Sequence, residues 1–237
     1  MWQFLDTDDW GYWTVRPNHL IFTNIDKDSE LEIIAANSGY ENKFVYALDT
    51  NGSLVWRFTG NQANHMLFGD VTGDGVEEVI LLTNVGHMVY VLNKTDGSLI
   101  WSFSTINYNL GVLGDVDGDG INDLIISSTG EELYTGNKLY VIKSNGSLLW
   151  FKDYTYDNRP TIPLIEDVDG DGVNDIIVGA EQRIVAYKSN GSLLWTAGDP
   201  EFFDYRPPQL VRFDICLLYT SDAADELDGV DLGGRRI

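Results

Sequence analysis

A unit of about 45 residues recurs four times along this chain, and that periodicity constrains the fold more than any single residue does. Two motifs alternate. The first is an acidic stretch running into an apolar one: NIDKDSELEIIAA (24–36), DVTGDGVEEVILL (70–82), DVDGDGINDLIIS (115–127) and DVDGDGVNDIIVG (167–179). The second is an apolar stretch, a turn and a tryptophan-bearing stretch: YALDTNGSLVWRF (46–58), YVLNKTDGSLIWSF (90–103), YVIKSNGSLLWFK (140–152) and AYKSNGSLLWTA (186–197). The acidic stretches start 46, 45 and 52 residues apart, and Trp56, Trp101, Trp150 and Trp195 follow at 45, 49 and 45.

Each unit reads as four short strands and no helix. In the last unit strand A covers Pro163 to Glu166, strand B Asp175 to Val178, strand C Ile184 to Lys188 and strand D Leu193 to Trp195, with the acidic loop between A and B. The Asn-Gly or Asp-Gly pair between C and D accepts the positive φ of a type I′ turn, which predicts an antiparallel C–D hairpin. Strand B is apolar on both faces, so a lone four-stranded sheet would leave it bare and each unit needs a neighbour on either side. Radial repetition of such sheets is a β-propeller; a linear β-solenoid is the alternative, with shorter rungs and without these hairpins.

The expected class is therefore all-β, with blades at about 17–58, 63–104, 109–153 and 160–198. Met1-Trp2-Gln3-Phe4 matches the end of a strand D (residues 1–5), and residues 207–215 match a strand A, with Asp214-Ile215 falling where Asp167-Val168 does. Both ends thus read as partial blades of a larger ring. From Cys216 the texture changes to CLLYTSDAADE, LDG and VDLGGRRI, which resembles a translated sequencing-library adapter around a sample index; 216–237 is expected to be a non-native tail, with native sequence ending at Ile215.

Asp at positions 1, 3 and 5, glycine at 6 and an acid at 9 of each acidic loop is a recipe for surrounding a hard cation with oxygen. Alternation points three side chains inward, glycine permits a sharp turn, and the position-7 carbonyl adds a ligand. Calcium suits this set better than magnesium, which retains more water. An EF-hand would require Glu at position 12, where Leu81, Ile126 and Val178 stand instead.

The pattern D-x-D-x-D-G-x-x-D-[LI]-I resembles the FG-GAP, integrin-alpha-type calcium loop, and the hairpin half resembles the tryptophan-docking motif of quinoprotein-type propellers. The resemblance implies structural Ca²⁺ at up to four loops. The full sets are Asp115, Asp117, Asp119, Asp123 with the Ile121 carbonyl, and Asp167, Asp169, Asp171, Asp175 with the Val173 carbonyl. Asp70, Thr72, Asp74, Glu78 and the Val76 carbonyl form a weaker set with a hydroxyl at position 3. Asn24, Asp26, Asp28, Glu32 and the Glu30 carbonyl keep the oxygens, with Ser29 replacing glycine.

No G-x-S-x-G elbow, phosphate loop or H-E-x-x-H occurs, and His19, His65 and His87 fall at unrelated phases. A net charge of −22 disfavours nucleic acid and anionic membranes as partners, and no apolar run is long enough to span a bilayer. Acidic loops and hairpins share one face. On the opposite face Arg-Pro recurs eight residues before a loop start, as Arg16-Pro17, Arg159-Pro160 and Arg206-Pro207, with Gln62 and Asn107 at that phase in the other blades. Aromatics precede the arginines: Trp10 and Trp13, Tyr154 and Tyr156, Phe202, Phe203 and Tyr205. They are expected either to present guanidinium and ring surfaces to a protein or carbohydrate ligand or to pair and seal blade edges. Sequons at Asn51, Asn93, Asn145 and Asn190, together with calcium loops, point to an extracellular or cell-surface protein; no signal peptide stands at the N-terminus. The expected role is a non-catalytic recognition or adhesion scaffold. The alternatives are the propeller portion of a polysaccharide lyase-like or quinoprotein-like enzyme, or an envelope assembly scaffold.

Overall fold

The computed structural model describes residues 17–26, 28–37, 44–61, 63–84, 86–106, 108–130, 136–155, 158–180 and 183–198. The terminal partial strands, the tail, Arg16, Arg206, Gln62, Asn107, Trp10, Trp13, Tyr156, Phe202, Phe203 and Tyr205 lie outside them.

Among the described residues, sixteen strands form four antiparallel sheets, each of four sequence-consecutive strands in spatial order. The first holds β1 (Pro17–Thr23), β2 (Glu32–Asn37), β3 (Phe44–Leu48) and β4 (Leu54–Thr59). The second holds β5 (Ala63–Gly69), β6 (Glu78–Thr83), β7 (Met88–Asn93) and β8 (Leu99–Ser104). The third holds β9 (Tyr108–Gly114), β10 (Asp123–Thr129), β11 (Asn137–Ile142) and β12 (Leu148–Tyr154). The fourth holds β13 (Leu164–Glu166), β14 (Asp175–Ala180), β15 (Arg183–Tyr187) and β16 (Leu193–Ala197).

Strand B explains why the sheets stack as blades of a propeller. Val79 and Leu81 of β6 pack into a core with Ile34, Val45 and Trp56 of the first sheet, while Ile80 and Leu82 pack with Leu124, Ile126 and Ile142 of the third. Successive side chains of a strand leave on opposite faces, so one all-apolar strand serves two cores. The third sheet repeats this, with Leu124 and Ile126 facing back and Ile125 facing forward onto Ile176 and Val178. All four central residues of β6 are fully buried. The innermost strand β5 lies against both β1 and β9. The approach is close where each innermost strand ends: a Cβ on Gly69 would sit 2.7 Å from Leu113, and one on Gly114 2.9 Å from Ile165.

The hairpins are antiparallel, as expected, but their turns are not type I′. Among Asn51, Asn145 and Asn190 none has positive φ; only the following glycines do, at 84°, 82° and 80°. Gly52 N–H donates to the Asp49 carbonyl (2.8 Å) and Asp49 N–H to the Ser53 carbonyl (2.9 Å), and the same pair recurs at Lys143/Ser147 and Lys188/Ser192. This is a type I turn closed by a glycine bulge. The loop contains one residue more than a two-residue I′ turn, and the Asn side chain uses its oxygen to accept the N–H two residues on (Asn145 Oδ1 from Ser147, 2.9 Å).

The hairpin glycines of the second, third and fourth sheets have a second duty. The Trp56 indole donates to the Lys94 carbonyl of the next blade (2.7 Å), Trp101 to Ser144 (3.0 Å) and Trp150 to Ser189 (2.6 Å). The rings lie flat on the next hairpin, so a Cβ on Gly97, Gly146 or Gly191 would stand 2.6, 2.8 or 2.9 Å from Trp56, Trp101 or Trp150. Tryptophan, hairpin and glycine therefore form one joint, repeated between every described pair of blades.

Candidate metal centres

The three loops beginning at Asp70, Asp115 and Asp167 share one backbone scaffold. The position-1 carboxylate accepts the N–H of positions 4 and 6: Gly73 and Gly75 on Asp70 (2.7 and 2.8 Å), Gly118 and Gly120 on Asp115 (2.8 and 2.9 Å), Gly170 and Gly172 on Asp167 (2.8 and 2.9 Å). Both glycines in each loop have φ between 77° and 88°, a region open to them at little cost. Position 5 accepts from the position-7 N–H, as in Asp119 from Ile121 and Asp171 from Val173, both 2.9 Å; Asp74 does so from Val76 at 2.8 Å. The buried position-9 acid accepts from position 2: Glu78 from Val71 (2.9 Å), Asp123 from Val116 (3.2 Å) and Asp175 from Val168 (3.1 Å).

In three loops the acids converge. Asp115, Asp117 and Asp123 bring ligand oxygens within 4.8 Å of one another, as do Asp167, Asp169 and Asp175, and Asp26, Asp28 and Glu32. Asp119 and Asp171 stay outside these triads, engaged with the turn backbone. No acid triad forms from Asp70, Asp74 and Glu78; Thr72 takes the position-3 place there, its hydroxyl 3.5 Å from Glu78 Oε1. The first loop departs from the scaffold at its start. The Asn24 side-chain amide donates to the Asp28 carbonyl, and Glu32 accepts from Ile25 N–H at 2.6 Å. Asn24 offers an oxygen and an amide nitrogen where Asp offers two oxygens, so it cannot accept N–H groups through both side-chain atoms as the aspartates do. Among the described residues no histidine joins a cluster.

The electrostatics follow from burial and from these bonds. Burial pushes the Asp123 carboxyl up to about 6, with Asp117 and Asp119 adding to it, against the N–H bonds from Val116 and Ser144. Burial likewise raises Glu78, helped by Asp74 and Asp70. Asp70 is held below its ordinary value: its slight burial acts upward, but N–H bonds from Gly73, Gly75, Thr72 and Asp74 outweigh it. A buried acid whose oxygens lie within 4.8 Å of those of two more acids is a donor set that could hold a hard divalent cation.

Two kinds of residue at the loops escape a reading of ligand positions alone. Asn122 Nδ2 donates to the Asp70 carbonyl of the preceding loop (3.0 Å) and Asn174 Nδ2 to the Asp115 carbonyl (2.7 Å), chaining three loops edge to edge. Their signal was the repeated Asn-Asp of G-x-N-D; in the second loop Glu77 stands there and pairs with Lys94 instead (2.6 Å). Lys143 lies 2.7 Å from Asp117, and Lys188 lies 2.6 Å from Asp169 and 3.1 Å from Asp171. These contacts place the hairpins and acidic loops on one face.

On the opposite face Arg159 is exposed and Pro160 buried. Tyr154 is not available to a ligand: it is buried, and its hydroxyl meets that of Tyr187 in the next blade at 2.9 Å. This aromatic seals a blade joint.

Residues 115–178 match the FG-GAP-like repeat family. Comparison with curated protein sequences returns no match. Solved structures similar to this chain include the V. cholerae biofilm matrix protein Bap1, at 15% identity over 77% of this chain and 39% of that one with a TM-score of 0.38. A europium-containing methanol dehydrogenase matches at 13% identity over 70% of this chain and 40% of that one, TM-score 0.46. BBS1N in complex with ARL6DN matches at 12% over 84% and 57%, TM-score 0.48. This chain spans 39–57% of the length of each.

Proposed function

We propose that this chain is part of an extracellular, calcium-stabilised propeller that acts as a non-catalytic recognition or adhesion scaffold for a protein or carbohydrate. The observation that carries this reading is where the acids are. Loops ready for a cation are built into the joints between strands A and B and, through Asn122 and Asn174, between neighbouring blades. A cation held there braces the ring and leaves the opposite face for a partner. Sites of this carboxylate count in extracellular modules typically bind Ca²⁺ at about 10⁻⁴–10⁻³ M, a range filled outside cells. Asp115, Asp117 and Asp123, and Asp167, Asp169 and Asp175, would hold the ion, with the Ile121 and Val173 carbonyls as further ligands; Asp26, Asp28 and Glu32 would hold a third.

Arg159 is the described member of the Arg-Pro set and the residue on which the ligand-face part of the proposal is tested. Immobilised glycans and extracellular-matrix proteins are probed with the chain in calcium and in chelator. Capture is expected in calcium, and Arg159→Ala is expected to weaken it about tenfold, the lower end for one charge-assisted hydrogen bond, with a melting temperature lowered by no more than a few degrees. Normal capture by a destabilised Arg159→Ala chain would instead assign the arginine to blade packing.

A further inference from the structure

Among the described residues, lysines reach into the two loops with the fullest acid sets, and these two contacts are the basis of a further inference. Lys143 and Lys188 occupy the same hairpin position, the residue before Ser-Asn-Gly. Each places its ammonium on the position-3 aspartate, 2.7 Å from Asp117 and 2.6 Å from Asp169, and those aspartates are members of the convergent triads. Lys188 also reaches Asp171. In the other two hairpins the chemistry differs. Asp49 occupies that position in the first, and the neighbouring Thr50 hydroxyl meets Glu30, whose side chain is outside the triad, at 2.5 Å. In the second, Lys94 pairs with Glu77, which is not at a ligand position.

We infer that Lys143 and Lys188 are tethered counter-cations that stand in the third and fourth loops when calcium is low and that calcium must displace, so that they set the affinity of those two loops. The inference rests on the calcium reading above. The physical argument concerns two states. Without metal, an ammonium on a carboxylate cluster relieves like-charge repulsion, so the lysine favours the folded metal-free chain. With metal, a divalent ion reaching the same Asp oxygen breaks the ion pair and meets a positive charge held close by the hairpin. The lysine therefore stabilises one state and opposes the other. A residue that merely packed would shift both in the same sense.

The test uses Lys188→Met, which keeps the aliphatic stem, with Lys143→Met as the second variant and Lys188→Arg as the charge-retaining one. Ca²⁺ affinity is measured by titration calorimetry and the melting point in excess chelator by circular dichroism. Lys188→Met is expected to tighten binding at one site about three- to tenfold, in line with loss of an exposed ion pair and a nearby like charge, and to lower the melting point in chelator by a few degrees. Lys188→Arg is expected to stay near the parent in both. Unchanged or weaker Ca²⁺ binding by both methionine variants, with the parent binding normally, would overturn the inference while leaving the calcium sites standing. If the parent itself binds no Ca²⁺, the calcium reading falls first and the inference with it.

Discussion

Replacing Trp56 by alanine is expected to destabilise the chain by about 3–5 kcal/mol, the range for removing a large aromatic from a packed site. The indole is 7% exposed, belongs to the core shared by the first two sheets, and loses with its ring a hydrogen bond to the Lys94 carbonyl. It also uncovers Gly97, whose hairpin was shaped to receive it. The same substitution at Trp195, 38% exposed on the last described sheet, is expected to cost about 1.5 kcal/mol or less. Gly97→Ala approaches the joint from the other side. It forces a Cβ to 2.6 Å from the Trp56 ring at a φ of 71°, and is expected to cost more than the roughly 1 kcal/mol of left-handed backbone strain alone. Denaturant unfolding of the three variants decides the matter. A loss below about 1 kcal/mol for Trp56→Ala would mean that the blades are held by their strand-B cores and that the tryptophan joint is dispensable.

That joint also marks how far the sequence could be read. The period, the four strands per unit and the two-faced strand B were legible because apolar alternation and hairpin glycines act locally and repeat at constant phase. Turn type was not. Asn-Gly fits a I′ turn, but whether it forms one depends on how many residues the flanking strands leave for the loop, and pairing of Ala47 with Trp56 and of Leu48 with Leu54 leaves one more. The acid positions of the loops were legible for the same local reason as the strands. Which acids converge was not, because it turns on positions 1 and 3 together: with Asp at both, positions 1, 3 and 9 meet, with Asn24 at position 1 the triad is formed by positions 3, 5 and 9, and Thr72 at position 3 withholds an acid from the second loop. Tyr154 shows the limit most plainly. Read as a connection residue it fits a ligand surface, whereas it is the last residue of β12, buried, with its hydroxyl on that of Tyr187 from the next blade, 33 residues on.

Calcium is expected to raise the melting temperature by roughly 10–30 °C, and excess chelator to remove that gain. Three convergent acid triads stand in the described chain. At ten to one hundred times its dissociation constant, each bound ion stabilises the fold by about 1.4–2.7 kcal/mol, since the unfolded chain has no assembled site. Three ions give about 4–8 kcal/mol, and each kcal/mol moves the midpoint about 2–4 °C in a domain of this size. An unchanged melt in chelator would remove calcium from the account altogether. Asp123 supplies the sharper form of the test, because its two roles have opposite signs. In calcium it is a ligand, and Asp123→Asn is expected to lower the melting point. In chelator it is a buried acid whose folded value, about 6, lies above its ordinary 3.8. The folded chain then binds the proton more tightly than the unfolded one, so this group's ionisation weakens the fold as pH rises from about 4 to 6 and adds nothing further above that window. Asn does not titrate. It loses one of the two N–H bonds from Val116 and Ser144 at every pH, which shifts the curve without tilting it. The difference in melting point between Asp123→Asn and the parent, measured in chelator, should therefore move in favour of Asn across pH 4–6 and level off above pH 7. A flat difference would mean that the carboxyl of Asp123 is not raised in the folded chain, so that its ionisation without metal costs the fold nothing.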